Sequence, residues 1–264
     1  MTIVRRIAMS AGFLVLSLLP FPLRAQAASS TPPNVLAEAR QYIKTADFRA
    51  TGRLVNLGAD GSRSNYKIDI KGHWFPDGLR VLYVIRSPAP ARVQLLLHMA
   101  LNGATTIEVL RPSSATPSSL TSEHRRDSLL GTVFSYEDLV DSQLFWKNQK
   151  MLDPAKCGVR DCVVLNSVPA ADDHSQYAFV TSWIDNNIFY PIHVVKTDRS
   201  TGEQRDFLYE GLRQTSGVWS ANQIEVKVPG KPGSSLLIIE RGSAKANLSR
   251  KDFALGQPFA EGDD

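Results

Sequence analysis

YKIDIKGHW, residues 66–74, alternates without a break: Tyr66, Ile68, Ile70 and Trp74 share one face, and Lys67, Asp69, Lys71 and His73 the other. A period of two over nine residues is that of an antiparallel strand buried on one side, and no helical spacing accommodates it. Ala59-Asp60-Gly61-Ser62 precedes it and carries the Asp-Gly pair of a tight hairpin turn. The strand is therefore one arm of a hairpin.

Working outward, LRVLYVIR (79–86) and RVQLLLHMA (92–100) are apolar on both faces at their centres, so both faces must be covered. Asn102-Gly103 turns the chain into ATTIEVL, which Arg111-Pro112 ends. PSSATPSSL reads as a loop, and the stretch from there to Trp146 as polar and partly helical. A second group follows: CVVLNSVP, QYAFVTSWID, FYPIHVVKTD, EQRDFLYEGL, GVWSANQIEVKV and SSLLIIERGS, separated by turn-forming clusters such as Asp185-Asn186-Asn187 and Pro229-Gly230. About ten strands at hairpin spacing, with helix only at the start and in the middle, predict a mainly β (α+β) chain. The sheet is expected to be single, antiparallel and curled, a closed barrel and a sandwich being the alternatives. The opening helix is expected over NVLAEARQYIKTADF (34–48), capped by Asn34.

Arg5 and Arg6, the apolar run Ile7 to Leu19, and Ala25-Gln26-Ala27 form the pattern of a cleaved secretory signal over 1–27. That run is shorter than the ~20 residues a bilayer requires, and Pro20 and Pro22 break it. Residues 28–33 read as a linker, 34–264 as one domain, and the compartment as the periplasm. Losing Arg5, Arg6 and Arg24 with the signal takes the formal charge from +4 to about +1, which removes the case for nucleic acid. Cys157 and Cys162, the two cysteines of the chain, sit in KCGVRDC and read as a disulfide across a hairpin tip from Gly158 to Asp161.

The search for chemistry comes back thin. The five histidines are dispersed, and no metal, cofactor, phosphate-loop or nucleophile-elbow motif occurs. Asp172-Asp173-His174 reads as an exposed turn, and Arg125-Arg126, between Glu123 and Asp127, as mixed surface charge. GTVFSYEDL (131–139) sets two acids beside a serine and a tyrosine. Ser135 and Asp138 have the spacing of a capping box, so the stretch reads as a helix start, with a catalytic carboxylate pair as the competing reading. The inward strand positions Ile68, Ile70, Trp74, Val81, Tyr83, Ile85, Val93, Leu95, Leu97, Phe179 and Trp183 either line a concave, acyl-sized cavity or form an ordinary core.

The order of the pieces resembles the LolA-like outer-membrane lipoprotein-sorting family, over nearly the whole chain after the signal. The resemblance rests on the N-terminal helix, GADGSRSNYKI, QLLLH, a strand ending in Arg-Pro, LLGTVFSYEDL, CVVLNSVP and SWIDNNIFYPIHVVKTDRSTGE. It departs at TTIEVLRP, where relatives often carry an aromatic residue before the proline. The resemblance implies a half-closed barrel with helices across its open side, with Ser135 and Asp138 at the start of a lid helix. It also implies binding of a lipid or an acylated lipoprotein without catalysis, with an inner-membrane lipid exporter and an outer-membrane acceptor as partners. A lipid-sensing accessory module on the same fold and a secreted hydrolase are the other expectations.

Overall fold

The computed structural model describes residues 32–256, so the signal over 1–27 lies outside the described residues. Helix α1 (Pro32–Lys44) starts two residues before the inferred domain boundary, its prolines in the first turn where no amide donor is needed. Asn34 is thus inside the helix and not its cap. Val35 and Ala39 are buried on its inner side.

Fifteen strands follow among the described residues: β1 (Asp47–Leu57), β2 (Arg63–Phe75), β3 (Gly78–Ser87), β4 (Val93–Ala100), β5 (Thr105–Leu110), β6 (Ser118–Ser119), β7 (Asn148–Cys157), β8 (Arg160–Val168), β9 (Tyr177–Asp185), β10 (Pro191–Asp198), β11 (Gln204–Glu210), β12 (Arg213–Thr215), β13 (Val218–Ser220), β14 (Gln223–Lys227) and β15 (Ser234–Ala244). Thirteen form one antiparallel sheet in the order β6-β5-β4-β3-β2-β1-β15-β14-β11-β10-β9-β8-β7, and β12 and β13 pair only with each other. The sheet has two free edges, β6 and β7, so it is an open curled sheet and not a closed barrel. No helix among the described residues is long and apolar enough to cross a membrane.

Two strands depart from expectation. The helix stops at Lys44, and β1 takes over at Asp47, where Phe48, Ala50, Gly52 and Leu54 alternate with Arg49, Thr51 and Arg53. Gly52 sits where the β1–β15 register shifts, and a Cβ there would meet the Ile238 carbonyl oxygen at 1.9 Å, so no larger residue fits. GVWSANQIEVKV divides into β13 and β14, with Asn222 between them. The expected disulfide is present between Cys157 and Cys162, at a turn shorter than anticipated because Cys157 already pairs with Arg160.

Pairing register fixes the two faces. Val109, Leu95, Tyr83, Ile70 and Ala50 stand in one row across five strands, and Ile224, Leu237 and Leu54 continue the same face beyond it. Residues 111–147 cross this inner face and send Leu129, Phe134, Leu144, Phe145 and Trp146 into the core. They do so in four short 3-10 turns and no α-helix. Leu130 at φ 52° and Gly131 at φ 74° interrupt one, and extended Val140 closes another. On the outer face, Leu248 and Phe253 of residues 245–256 cover Phe75 and Leu82 of β2 and β3. The strands that read as apolar on both sides are thus covered on both sides, by two different segments.

Candidate functional site

The GTVFSYEDL stretch forms a single 3-10 turn over Tyr136–Leu139, too short to carry a useful macrodipole, and both of its acids are buried, Asp138 in an ion network. The Asp138 carboxylate accepts from the Ser135 N–H at 2.8 Å, closing the carboxylate arm of the expected capping box, and from Ser135 Oγ at 2.9 Å. It also accepts from the Tyr177 hydroxyl, from Arg205 at 2.9 Å and from the Lys196 ammonium at 3.3 Å. Lys196 is 2% exposed and lies 4.7 Å from the centroid of the Phe207 ring. Burial alone would raise the Asp138 pKa, but Lys196 and Arg205 outweigh it and hold the carboxyl below its ordinary value. Glu137, with no cation in hydrogen-bond contact, is pushed up by burial while it accepts from Ser175 Oγ and the Gln176 N–H.

A cavity of about 430 Å³ opens beside this network. That lies within the roughly 300–1,000 Å³ of small-molecule sites. Its floor is the inner face of the sheet, through Ile70 of β2, Val81 and Tyr83 of β3, Phe207 and Tyr209 of β11, Ile224 of β14, and Leu237 and Ile239 of β15. Ala39, Tyr42 and Ile43 of α1 form one wall, Leu139, Val140 and Leu144 of the crossing segment another. The β12–β13 hairpin closes part of the mouth with Arg213, Thr215, Val218 and Trp219. Gly211, at φ 60°, leads into that hairpin, and a Cβ there would meet Asn222 Oδ1 at 1.8 Å.

The polar groups of the wall are mostly engaged. Tyr209 Oη donates to the Asp141 carboxylate, 3.2 Å from each oxygen, and Tyr83 Oη donates to the Leu139 carbonyl at 2.7 Å. Tyr190 packs edge-on against both Tyr42 and Tyr209, and its hydroxyl accepts from the Ala221 N–H at 3.3 Å. Burial raises all four phenols, Tyr190 to about 12, so they are neutral at any physiological pH. The Tyr42 hydroxyl is out of contact with solvent and has no partner among the described residues.

Of the sequence candidates, Ile70, Val81 and Tyr83 line the cavity. Ile68, Ile85, Val93, Leu95 and Leu97 share their face but are sealed in the core under the crossing segment, and Trp74 stacks on Phe145 at its edge. Phe179 and Trp183 do not reach the cavity. Val180, Ser182 and Ile184 hold the inward parity of β9, leaving Phe179 and Trp183 outward, where Trp183 stacks on His193. The sequence reading missed the larger share of the wall, from α1, β11, the β12–β13 hairpin, β14 and β15. Its available signals were the alternation of Phe207 and Tyr209 and the isolated Trp219.

Comparison with known proteins agrees with this architecture. A family model described as that of an uncharacterized protein matches residues 79–257, more than half of the chain. No curated protein matches the sequence. Among solved structures, an outer membrane lipoprotein-sorting protein domain from Vibrio parahaemolyticus superposes with a TM-score of 0.75 at 21% identity, over 83% of this chain and 94% of that one. A DUF1329 family protein from Desulfovibrio piger gives 0.75 at 15% identity, over 85% and 96%. A LolA superfamily protein from Nitrosomonas europaea gives 0.66 at 18%, over 85% and 97%. At these identities the likeness is one of fold.

Proposed function

The chain belongs to the family whose model spans residues 79–257 and has the LolA-like fold, and from that premise we propose that it is a periplasmic binding or carrier protein for acyl chains. The observation that carries the proposal is the apolar cavity between the inner sheet face, α1 and the β12–β13 hairpin. A core would have closed this space, because interiors pack at crystal-like density. The buried acids of Glu137 and Asp138 support binding over hydrolysis, since partners within the fold already hold both, a hydroxyl and an amide on Glu137 and a hydroxyl and two cations on Asp138. The three neighbouring structures bear the names of a lipoprotein-sorting domain, a DUF1329 family protein and a LolA superfamily protein, and none of them is named as an enzyme.

The ligand is a lipid, or the acyl part of a lipoprotein, with its chain against Val81, Ile224, Leu237 and Ile239. Its donor is an inner-membrane lipid exporter and its acceptor lies at the outer membrane. Protein purified from a periplasmic extract and extracted into organic solvent should release an acylated species detectable by mass spectrometry. Mixed with two vesicle populations, it should move a labelled acyl lipid between them. Saturable uptake without transfer would make the protein a lipid sensor. Absence of both lipid and uptake would end the acyl-binding reading.

A further inference from the structure

The charges around the cavity mouth are not evenly spent. Asp47 is consumed by His73 at 3.0 Å and by the backbone N–H groups of Asn247 and Leu248. Arg49 is consumed by Asp252 at 2.7 Å. Deeper in the wall, Asp138 is held by Lys196 and Arg205, and Asp141 by Tyr209. Arg213 and Lys245 line the same cavity, are exposed, and have no partner among the described residues.

Both cations sit on backbone that serves the mouth. Arg213 is on β12, which belongs to the hairpin outside the main sheet. Lys245 follows β15 at φ 61°, a left-handed conformation that glycine or asparagine adopts more readily. The next residues fix it there: the Ala246 N–H bonds the Asp47 carbonyl at 3.0 Å, and Asn247 and Leu248 bond the Asp47 carboxylate. A lysine is thereby held at the rim of an apolar cavity in a conformation its own side chain does not favour.

We infer that Arg213 and Lys245 receive the anionic head group of an acylated amphiphile whose chain occupies the cavity. The inference rests on the acyl-binding reading and adds the charge class of the ligand. Arg213 offers a planar fork of donors and Lys245 a point charge, a combination suited to a phosphate or carboxylate oxygen. Trp219, half-buried on the same hairpin, supplies the amphipathic ring favoured where apolar chain meets polar head.

The test uses the whole protein, a neutral fluorescent acyl probe, and two monomeric competitors with the same chain, lysophosphatidylglycerol and lysophosphatidylcholine. The anionic lipid should displace the probe at about tenfold lower concentration than the zwitterionic one, as two exposed charge pairs allow, and the gap should narrow in high salt. The double variant Arg213→Gln, Lys245→Gln should lose that gap, the anionic lipid giving up more affinity than the zwitterionic one, and melt like wild type. Inorganic phosphate at matched ionic strength should displace nothing. Equal affinity for the two lipids, a gap that survives in the variant, or displacement by phosphate alone would each overturn the inference while leaving acyl binding intact. Failure of the neutral probe itself to bind would instead defeat the acyl-binding reading.

Discussion

Lys196 of β10 and Asp138 of the crossing segment form a buried ion pair, 3.3 Å apart, with the lysine 2% exposed. With Arg205 it pins residues 111–147 to the second half of the sheet. Truncating the carboxylate leaves a lysine buried without its counter-ion, which typically costs about 3–5 kcal/mol of a total stability of ~5–15 kcal/mol. Asp138→Ala should lose stability on that scale in urea unfolding. Lys196→Met, which leaves Asp138 paired with Arg205, should lose less. Equal losses would mean that Arg205 does not share the charge.

Glu137 and Asp138 oppose each other in pH dependence. Asp138 is depressed, so its contribution is present above the ordinary carboxylate value near 4 and is lost as pH falls through its lowered pKa. Glu137 is raised, so its contribution is full below its unfolded value near 4 and is lost as pH rises through its raised pKa. The neutral carboxyl can donate to Ser175 Oγ while its other oxygen keeps the Gln176 N–H, and a glutamine side chain reproduces that pattern. Glu137→Gln should therefore fold, and its stability should decline less than that of wild type as pH rises from about 4 through the raised Glu137 pKa. Parallel profiles of urea midpoint against pH would show Glu137 to be ionised without penalty.

The Tyr42 hydroxyl, in the wall between α1 and Tyr190, is an orphan among the described residues. A buried hydroxyl without a partner carries a desolvation cost of about 1–3 kcal/mol. Tyr42→Phe keeps the ring and its edge-on contact, so it should raise stability by about 1 kcal/mol in thermal or urea unfolding. A drop in stability would reveal a partner for the hydroxyl.

Core and cavity respond differently to substitution. Leu95 is fully buried beneath the crossing segment, and Leu95→Ala should cost about 2–5 kcal/mol while the folded fraction keeps its affinity for an acyl probe. Ile239 is half-buried in the cavity wall, so Ile239→Asp should retain the β circular dichroism spectrum. A carboxylate facing the acyl chain costs several kcal/mol, enough to weaken probe binding by more than ~100-fold. Unfolding of the Ile239→Asp protein would place that residue in core.

The sheet was legible wherever a period of two ran for five residues or more, as in YKIDIKGHW, because alternation survives any choice of neighbour. It failed at the start of β1, because Ala46 continues the helical spacing of Tyr42 and Ile43 and nothing local ends the helix before Asp47. The crossing segment was read as helix because SYED has the spacing of a cap, yet the left-handed Leu130 and the extended Val140 limit each turn to a few residues. The ion network was out of reach from its acids alone, since Lys196 and Arg205 lie far along the chain. One trace of it existed: Lys196 occupies the inward parity set by Val194, and a lysine there demands a buried carboxylate. The cavity was only partly located, at Ile70, Val81 and Tyr83, because Leu129 and Phe145 of the crossing segment join Ile68, Ile85, Val93, Leu95 and Leu97 in one core, while the open space extends toward β15 and β11.

The sheet is two meanders, β1 to β6 and β7 to β15 with the β12–β13 hairpin set outside it, joined at one seam where β15 lies against β1 and Phe48 meets Ala244. Cavity walls come from both sides of that seam. A polypeptide delivered segment by segment therefore has no receptacle until its most sequence-distant strands meet, the slow step that loop-closure entropy imposes on non-local pairing. Amphiphiles around a half-assembled chain find two separate ribbons and nothing that can enclose them. Under the proposed function, loading is timed by topology: an acyl ligand can be taken up only by molecules that have finished folding.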